Sequence, residues 1–260
     1  MFDVAATIEM EAYAYLDYLI GRKKWVLWSS GAFELFDTAS KPKPEAVLIS
    51  DLGEDRVINV GDFAANRSVG DLTDGADDVN IVVSDSNRVN VSWKNNITNA
   101  TGSGSGKVSS DQILFIYAGE HKDNITISGE NVKFNIVIYG GADNDCVNLN
   151  DLNLADGFFV TVYGGAGDDI IKGARTGVNY LFGDVGYTPT DKDDKKKILS
   201  AYNYYDDEEL GNNIIYGGEG ANNYIFGGFG YDQIVAGQND VNYIFGDGGR
   251  VDFGNGGAIL

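Results

Sequence analysis

The chain has 260 residues, of which 35 are glycine, 3 are proline and 1 is cysteine, and its formal net charge is −20. A chain this acidic repels nucleic acids and anionic membrane surfaces, which makes both poor partners. The single cysteine excludes an intrachain disulfide. No stretch approaches the roughly 18 apolar residues of a membrane span, which argues against membrane insertion.

The first 44 residues (1–44) are predicted to form an N-terminal helical and aromatic cap. Residues 4–20 place Tyr13, Leu16 and Leu19 on one side of a predicted helix. A helix at this place would cover the open end of a stack of strands, whose exposed edges otherwise invite aggregation. A dense group of aromatic residues, typical of core or cap packing, follows at Trp25, Trp28 and Phe33.

Residues 45–136 are predicted to contain degenerate coils of a β-solenoid. Their short apolar runs show the alternating or continuous patterns of buried strands. The runs lie at residues 79–82, 89–92, 113–116, 125–127 and 134–138. Because these coils lack an acidic signature, they need not bind metal. Residues 103–110 are rich in serine and glycine and are predicted to form a small polar loop.

A repeat becomes visible when the chain is aligned on pairs of an aromatic residue and a glycine. In each unit an aspartate or asparagine follows the aromatic residue by six positions, and an apolar residue or tyrosine follows two positions later. These units begin at Tyr117, Tyr139, Tyr163, Tyr216 and Phe226. Two further openers, Phe182-Gly183-Asp184 and Phe245-Gly246-Asp247, start in the same way and then diverge.

This repeat predicts stacked coils rather than unrelated hairpin turns. The short apolar runs would form strands, and glycines would turn the chain where the backbone needs a positive φ. One coil cannot bury its apolar face alone, so successive coils must stack into a continuous core. Hairpin turns are also rich in glycine and aspartate, but unrelated turns would not share one spacing. Residues 184–212 are interpreted as an insertion between coils, a solvated loop or alternatively a partner contact.

The units with the most complete pattern resemble the RTX (hemolysin-type) nonapeptide G-G-x-G-x-D-x-U-x, in which U is large and apolar. Residues 164–172 and 227–235 match it throughout, and residues 140–148 depart only at Asp143. The unit at residues 217–225 keeps the glycines but has asparagine in place of acid. Its asparagines could instead form an uncharged side-chain ladder.

The resemblance implies an all-β fold, a parallel β-roll or β-solenoid with a short N-terminal helical cap. The calcium-binding roll would take residues 137–260 with its insertion. In this family the turns between neighbouring coils hold calcium through repeat aspartates and backbone carbonyls. Calcium suits such turns because it accepts six to eight oxygen ligands in irregular geometry. Rows of carboxylates without the ion would repel one another, so metal binding and folding should be coupled.

The predicted calcium ligands lie in the glycine turns. One site would combine the turns at residues 140–145 and 164–169, and a second would pair Asp232 with Asp247 of the next coil. The full set of candidate metal residues is Gly140, Asp143, Asp145, Gly164, Ala166, Asp168, Asp169, Gly227, Phe229, Asp232 and Asp247.

Sequence motifs of common hydrolases are absent from the chain. It contains no H-E-x-x-H and no G-x-S-x-G. Cys146 has no histidine near it in the sequence, so we interpret it as a packing residue and not as a nucleophile. The predicted function is therefore a calcium-binding structural or adhesive segment of an exported surface or filament protein. Its location would be extracellular or at the cell surface, and its partners would be further copies or other surface and matrix components, with glycans possible.

An enzyme of the polysaccharide lyase or epimerase type on a β-helix is the alternative. Paired carboxylates are plentiful, and such pairs can act as general acid and base. The acidic residues follow the repeat, however, whereas a catalytic pair would be expected to break it. The sequence therefore favours a structural role over a catalytic one.

Overall fold

The structure, a computed structural model, describes residues 47–67, 71–84, 86–185, 211–238 and 241–247, together with five short strands at 25–28, 32–36, 198–200, 250–254 and 257–259. The helix predicted at residues 4–20 and most of the insertion at 184–212 lie outside the described residues. The chain divides into two compact units, Met1–Pro44 and Glu45–Leu260. In the first unit, strands β1 (Trp25–Trp28) and β2 (Ala32–Phe36) form an antiparallel pair.

Two eight-stranded sheets make up most of the second unit. In chain order, the first sheet contains β3 (Ile49–Leu52), β4 (Asp55–Ile58), β8 (Ile113–Glu120), β10 (Asn135–Ala142), β12 (Phe159–Ala166), β14 (Gly177–Phe182), β17 (Ala221–Phe226) and β19 (Asn242–Phe245). The second sheet contains β5 (Asp77–Val83), β6 (Arg88–Asn95), β7 (Thr101–Lys107), β9 (Asn124–Val132), β11 (Cys146–Leu154), β13 (Ile170–Lys172), β16 (Ile214–Tyr216) and β18 (Gln233–Val235).

The remaining described elements are few. A 3-10 helix spans Gly61–Arg67. A separate antiparallel sheet contains β15 (Ile198–Ser200), β20 (Arg250–Gly254) and β21 (Gly257–Ile259). Within the described part of the chain, no helix is both long and apolar enough to span a bilayer.

From β8 onward, successive strands of the two large sheets alternate between the first sheet and the second. We call one strand of each sheet, with the turns that join them, a coil. Every one of these strands pairs in parallel with its neighbours from β8 to β19, and the recurring aromatic residues are in register: Tyr117 pairs with Tyr139, and Tyr139 with Tyr163. The prediction of a mostly β fold with parallel pairing is confirmed. The strands predicted at residues 113–116, 125–127 and 134–138 are present as β8, β9 and β10.

The two sheets begin with antiparallel strands. β3 and β4 form a hairpin, and β5, β6 and β7 form a meander. The loop predicted at residues 103–110 is wrong, because Thr101–Lys107 is the edge strand β7. Its glycines give the physical reason: a Cβ on Gly104 or Gly106 would lie 3.2 Å from the side chain of Leu48 or Ile49. Because these glycines have no side chain, this face of β7 can pack against Leu48 and Ile49 at the start of β3.

The main core lies between the inner faces of the two sheets. Residues of alternate strand positions fill it in columns that continue from coil to coil, for example Ile116, Ile138, Val162, Leu181 and Ile225 in the first sheet. In the second sheet Val147, Ile171 and Ile215 occupy the equivalent column. Burial of such columns is the dominant stabilising term, since no single coil encloses a core of its own.

The other face of the first sheet carries a stack of aromatic rings. Consecutive ring centroids stand 4.7–5.2 Å apart along Phe63, Tyr117, Tyr139, Tyr163, Phe182, Phe226 and Phe245. Phe63 comes from the 3-10 helix. From Tyr117 onward the spacing follows from the separation of neighbouring strands, about 4.8 Å, because each strand contributes one ring in register. Most of these rings, from Tyr139 to Phe245, thus belong to a second apolar cluster and not to the main core.

The coils become narrower along the chain. β9 and β11 each have 9 residues, whereas β13, β16 and β18 each have 3. The inner column of the first sheet changes at the same place, from Ile136 and Val160 to Asn179 and Asn223. In the narrow coils, asparagine side chains therefore occupy the corner that aliphatic side chains occupy in the wider coils.

Candidate functional site

A column of acidic side chains runs along the corner that precedes the strands of the second sheet. The first rung is the first residue of β5, and every later rung stands directly before a strand. The Oδ1 of each later rung accepts a hydrogen bond from the backbone N–H of the same position in the preceding coil. The N–H to Oδ1 pairs are Asp77 to Asp123 (2.5 Å), Asp123 to Asp145 (2.8 Å), Asp145 to Asp169 (2.8 Å), Asp169 to Asn213 (2.9 Å) and Asn213 to Asp232 (2.8 Å). We call these six residues the aspartate column.

From Asp123 onward, only one oxygen of each carboxylate accepts such a bond, and at Asp77 neither oxygen does. The Oδ2 atoms of Asp123, Asp145, Asp169 and Asp232 are buried and have no hydrogen-bond partner. Three of these residues are at most 3% exposed, and Asp232 is half-buried. A buried carboxylate oxygen without a partner is costly, so each of these atoms needs either a proton or a cation.

The unused oxygens face carbonyl oxygens at glycine corners. A Cβ on Gly140 would meet Asp145 Oδ2 at 2.5 Å and the carbonyl oxygen of Gly164 at 2.3 Å, so these two oxygens point to the same place. The arrangement repeats in the next coil, where a Cβ on Gly164 would meet Asp169 Oδ2 and Gly183 O. It repeats again where a Cβ on Gly227 would meet Asp232 Oδ2 and Gly246 O.

Asn213 shows what the same corner looks like when it is closed by the chain itself. A Cβ on Gly183 would meet Asn213 Nδ2 and the carbonyl oxygen of Gly227. Here the amide donates to that carbonyl oxygen at 3.4 Å and to Asp184 Oδ1 at 3.0 Å. At this corner an amide N–H therefore faces the carbonyl oxygen, whereas at the aspartate corners a carboxylate oxygen faces it.

Ala118 closes another corner. The strand register aligns Ala118 with Gly140, since Tyr117 pairs with Tyr139 and Gly119 with Gly141. Its methyl group, buried in the main core, takes the place that is left open in the glycine corners. The corner at Asp123 therefore has less room than those at Asp145 and Asp169.

Burial raises the pKa values of the column carboxylates far above the ordinary 3.8. Desolvation is the largest cause in every case, and it raises the pKa to about 9 for Asp123, about 8 for Asp145, about 7 for Asp169 and about 6 for Asp77. The pKa of Asp232 is also raised, again chiefly by burial. Neighbouring acids add to the effect, because a second negative charge disfavours the first.

The structure places three of the six predicted acids in this column. Asp145, Asp169 and Asp232 are rungs. Asp143 lies close enough to raise the pKa of Asp145, and its φ of 72° places the turn in the left-handed region. The charge of Asp247 likewise raises the pKa of Asp232.

Asp168 belongs to a second, exposed column beside the first. Its N–H donates to Asn144 Oδ1 at 3.0 Å, and its own Oδ1 accepts from the N–H of Asn212 at 2.6 Å. Two predicted ligands would act through backbone atoms. Ala166 ends β12 in register with Ala142, and the N–H of Phe229 donates to Asp184 Oδ2 at 2.7 Å.

Asp184 is a buried acid that the repeat spacing did not select. Its Oδ1 accepts from Asn213 and its Oδ2 from Phe229, and its charge raises the pKa values of both Asp169 and Asp232. The sequence feature that could have identified Asp184 is its position directly after Phe182-Gly183, where other coils have a second glycine. Asn213 was missed as well, because the insertion separates it from its opener.

Side chains alone do not complete a metal site in the described residues. No group of three or more histidine, cysteine, aspartate or glutamate side chains is placed to hold an ion there. A cation at the column would take one or two carboxylates and complete its shell with backbone carbonyls. Cys146, the first residue of β11, is a half-buried free thiol.

Comparisons with models of known families, with curated proteins and with solved structures find no match for this chain. The function must therefore be argued from the column and its surroundings.

Proposed function

We propose that the chain is a calcium-stabilised β-solenoid of the RTX β-roll type, a structural or adhesive segment of an exported surface or filament protein. The observation that carries this proposal is the row of buried carboxylate oxygens that face carbonyl oxygens across glycine corners. Two oxygens in this arrangement repel each other, and a hard divalent cation between them removes the repulsion.

The donor atoms favour calcium over other metals. They are carboxylate and carbonyl oxygens, which zinc and copper sites seldom use alone, and their arrangement in flexible turns suits an ion with irregular coordination. The residues that would hold the ion are Asp145 with the carbonyl of Gly164, Asp169 with that of Gly183, and Asp232 with that of Gly246. Asp143, Asp168 and Asp247 are the further carboxylates of these turns.

The corners differ in what they would bind. Those at Asp145, Asp169 and Asp232 are open and acidic. The corner of Asn213 satisfies itself with an amide, and the corner of Asp123 holds the methyl group of Ala118. We therefore expect calcium at the three open corners, with Asp123 kept neutral by its own proton. Sites with so few carboxylates suit the high calcium concentrations in which extracellular modules work.

A role in assembly is supported by the last described coil. Ile244 occupies the inner column after Ile225, yet it is 44% exposed, and Val241 beside it is 51% exposed. Among the described strands of the two large sheets, β18 and β19 lie at the edge. Edge strands with exposed apolar residues favour addition of a strand from a second molecule or another surface component.

The test is thermal unfolding of the full chain in calcium and in chelator, for the wild type and for Asp169→Asn. Calcium should stabilise the wild type by about 2.7 kcal/mol for each occupied site at about 100 times the Kd of that site. The new amide of Asp169→Asn would donate to Gly183 O, as Asn213 does to Gly227 O. The variant should therefore be more stable than the wild type in chelator and respond less to calcium.

Asp156→Asn is the matched control, because it removes the same charge from an exposed turn outside the column. It should keep the wild-type response to calcium. Identical melting curves of the wild type in calcium and in chelator would falsify the calcium proposal. An equal loss of the calcium response in both variants would show that stabilisation by calcium depends on the net charge of the chain and not on the column.

A further inference from the structure

A groove lies on the other corner of the narrow coils, away from the aspartate column. Its volume is about 560 Å³, within the range of small-ligand sites. Its floor is formed by backbone at Gly173, Gly217, Gly218 and Gly237, and Asn150 of the wider coil stands at one end. None of the residues assigned to calcium lines it.

The groove exists because the chain is drawn inward at this corner. Buried asparagines hold the turns from inside: Asn179 donates to the carbonyl of Ala174 at 2.8 Å, Asn223 to that of Gly218 at 3.1 Å, and Asn242 to that of Gly237 at 3.2 Å. β11 is longer than the strands that follow it, so the surface steps down at this point. The groove is therefore a rigid feature of the coil geometry.

One wall is a column of side chains on the outer face of the second sheet. Lys172 pairs in register with Tyr216, and Tyr216 with Val235, while their neighbours Ile171 and Ile215 point into the core. Tyr216 is 36% exposed, so part of its side chain is accessible from the groove.

The opposite wall comes from the turns and carries Arg175, Glu219 and Gln238. Arg175 stands 3.4 Å from Asp151, but both side chains are more than half exposed, so this ion pair contributes little. Lys172 and Arg175 thus place two cations at one end of the groove, in a chain whose net charge is −20.

We propose that this groove binds an acidic oligosaccharide. A sugar ring would stack on Tyr216, a sugar carboxylate would pair with Lys172 and Arg175, and hydroxyl groups would bond to Asn150, Gln238 and the open backbone of the glycine floor. This combination of donors and acceptors suits a ligand rich in hydroxyl groups. A phosphate polymer would use only the two cations and would leave the ring of Tyr216 uncovered, because it has no sugar ring to stack on it.

The experiment is titration calorimetry of the full chain in calcium with a hyaluronan hexasaccharide, whose rings alternate between carboxylated and neutral. Saturable binding is expected, together with NMR shift changes at the groove residues. Neutral chitohexaose should bind at least about tenfold more weakly, because the charge-assisted hydrogen bonds to the carboxylate are lost. Polyphosphate of similar length should bind no better than chitohexaose.

Three variants locate the site. Lys172→Met with Arg175→Gln, and separately Tyr216→Thr, should each weaken hyaluronan binding about tenfold or more. Lys94→Met with Lys107→Met removes two exposed cations from the same sheet far from the groove and should leave affinity unchanged. Melting curves in calcium show that each variant is folded. Absence of binding at millimolar ligand, equal binding of all three ligands, or undiminished binding by the groove variants overturns the proposal.

Discussion

The two corners of the narrow coils differ in the polar side chains that connect successive coils. Both bury a column of polar side chains that holds successive coils in register. At one corner Asn179 donates to Asn223 at 2.8 Å, and Asn223 donates to Asn242 at 2.9 Å. At the other corner aspartates accept from backbone N–H groups and leave a second oxygen without a partner.

The difference follows from what the two side chains offer. An asparagine carries a donor and an acceptor, so a stack of asparagines satisfies itself, and Asn223 also bonds both to the N–H and to the carbonyl of Gly218. An ionised aspartate only accepts, so a stack of aspartates must take donors or cations from elsewhere. The asparagine corner is complete without a ligand, whereas the aspartate corner makes stability depend on the solution.

The largest expected effect concerns the glycine turns that bring the aspartate corners together. Gly165→Ala requires a side chain at a φ of 110° and places its Cβ 2.1 Å from Gly141 O. Strain and overpacking should together lower the free energy of unfolding by about 2–6 kcal/mol, as measured by urea denaturation. Gly157→Ala has a φ of 85° but nothing within 4 Å, so it shows strain alone.

Gly246→Ala completes this series, because its Cβ would meet nothing within 4 Å. It should change stability by less than about 0.5 kcal/mol. The expected order of destabilisation is Gly165, then Gly157, then Gly246. If Gly165→Ala is no worse than Gly157→Ala, the coils are not as close at this corner as the structure has them.

The next effect tests the asparagine corner. Asn223→Ala removes bonds to two asparagines and to Gly218 and leaves buried groups without partners, each costing about 1–3 kcal/mol. The loss of unfolding free energy should be the same in calcium and in chelator, since no cation is involved. Asn222→Ala, at the exposed neighbouring position, should stay within about 0.5 kcal/mol of the wild type. A calcium-dependent loss in Asn223→Ala would contradict the division between the corners.

The last effect is a pH dependence of stability in chelator. The folded pKa values of Asp145 and Asp169 are raised from 3.8 to about 8 and about 7, so the folded state holds protons that the unfolded state has released. Their stabilising contribution is therefore complete below pH 3.8 and is lost as pH rises through 7 and 8. The slope should be about 1.4 kcal/mol per pH unit for each protonated carboxyl.

Urea denaturation in chelator between pH 5 and pH 8 measures this slope. Asp145→Asn should reduce it by the contribution of about one carboxyl, because its amide has no proton to lose in this range. Calcium should flatten the slope in the wild type, since it binds the deprotonated form. An unchanged slope in Asp145→Asn would mean that Asp145 is already ionised in the folded chain.

Part of this site could be predicted from the sequence. The fixed distance from each aromatic residue to its aspartate predicted Asp145 and Asp169 on neighbouring turns of one site, because identical spacing on stacked coils brings identical positions into register. Asp232 was assigned to a separate site with Asp247, whereas the structure places it in the same column. Asn223 does take part in an uncharged ladder, whereas its neighbour Asn222 is exposed. The unit starting at Tyr216 lies in the second sheet, at the corner opposite to the other four, so its aspartate equivalent does not join the column.

The amino-acid sequence by itself determined the strand periodicity, the glycine turns and the coil repeat, because these depend on local patterns of side chains and φ. Only the tertiary structure decided which oxygen of each aspartate is used, that Asn213 and Asp184 complete the column across the insertion, and that a glycine and serine segment forms an edge strand. These outcomes depend on which residue of another coil stands opposite, and that is set by the packing of coils rather than by neighbours along the chain.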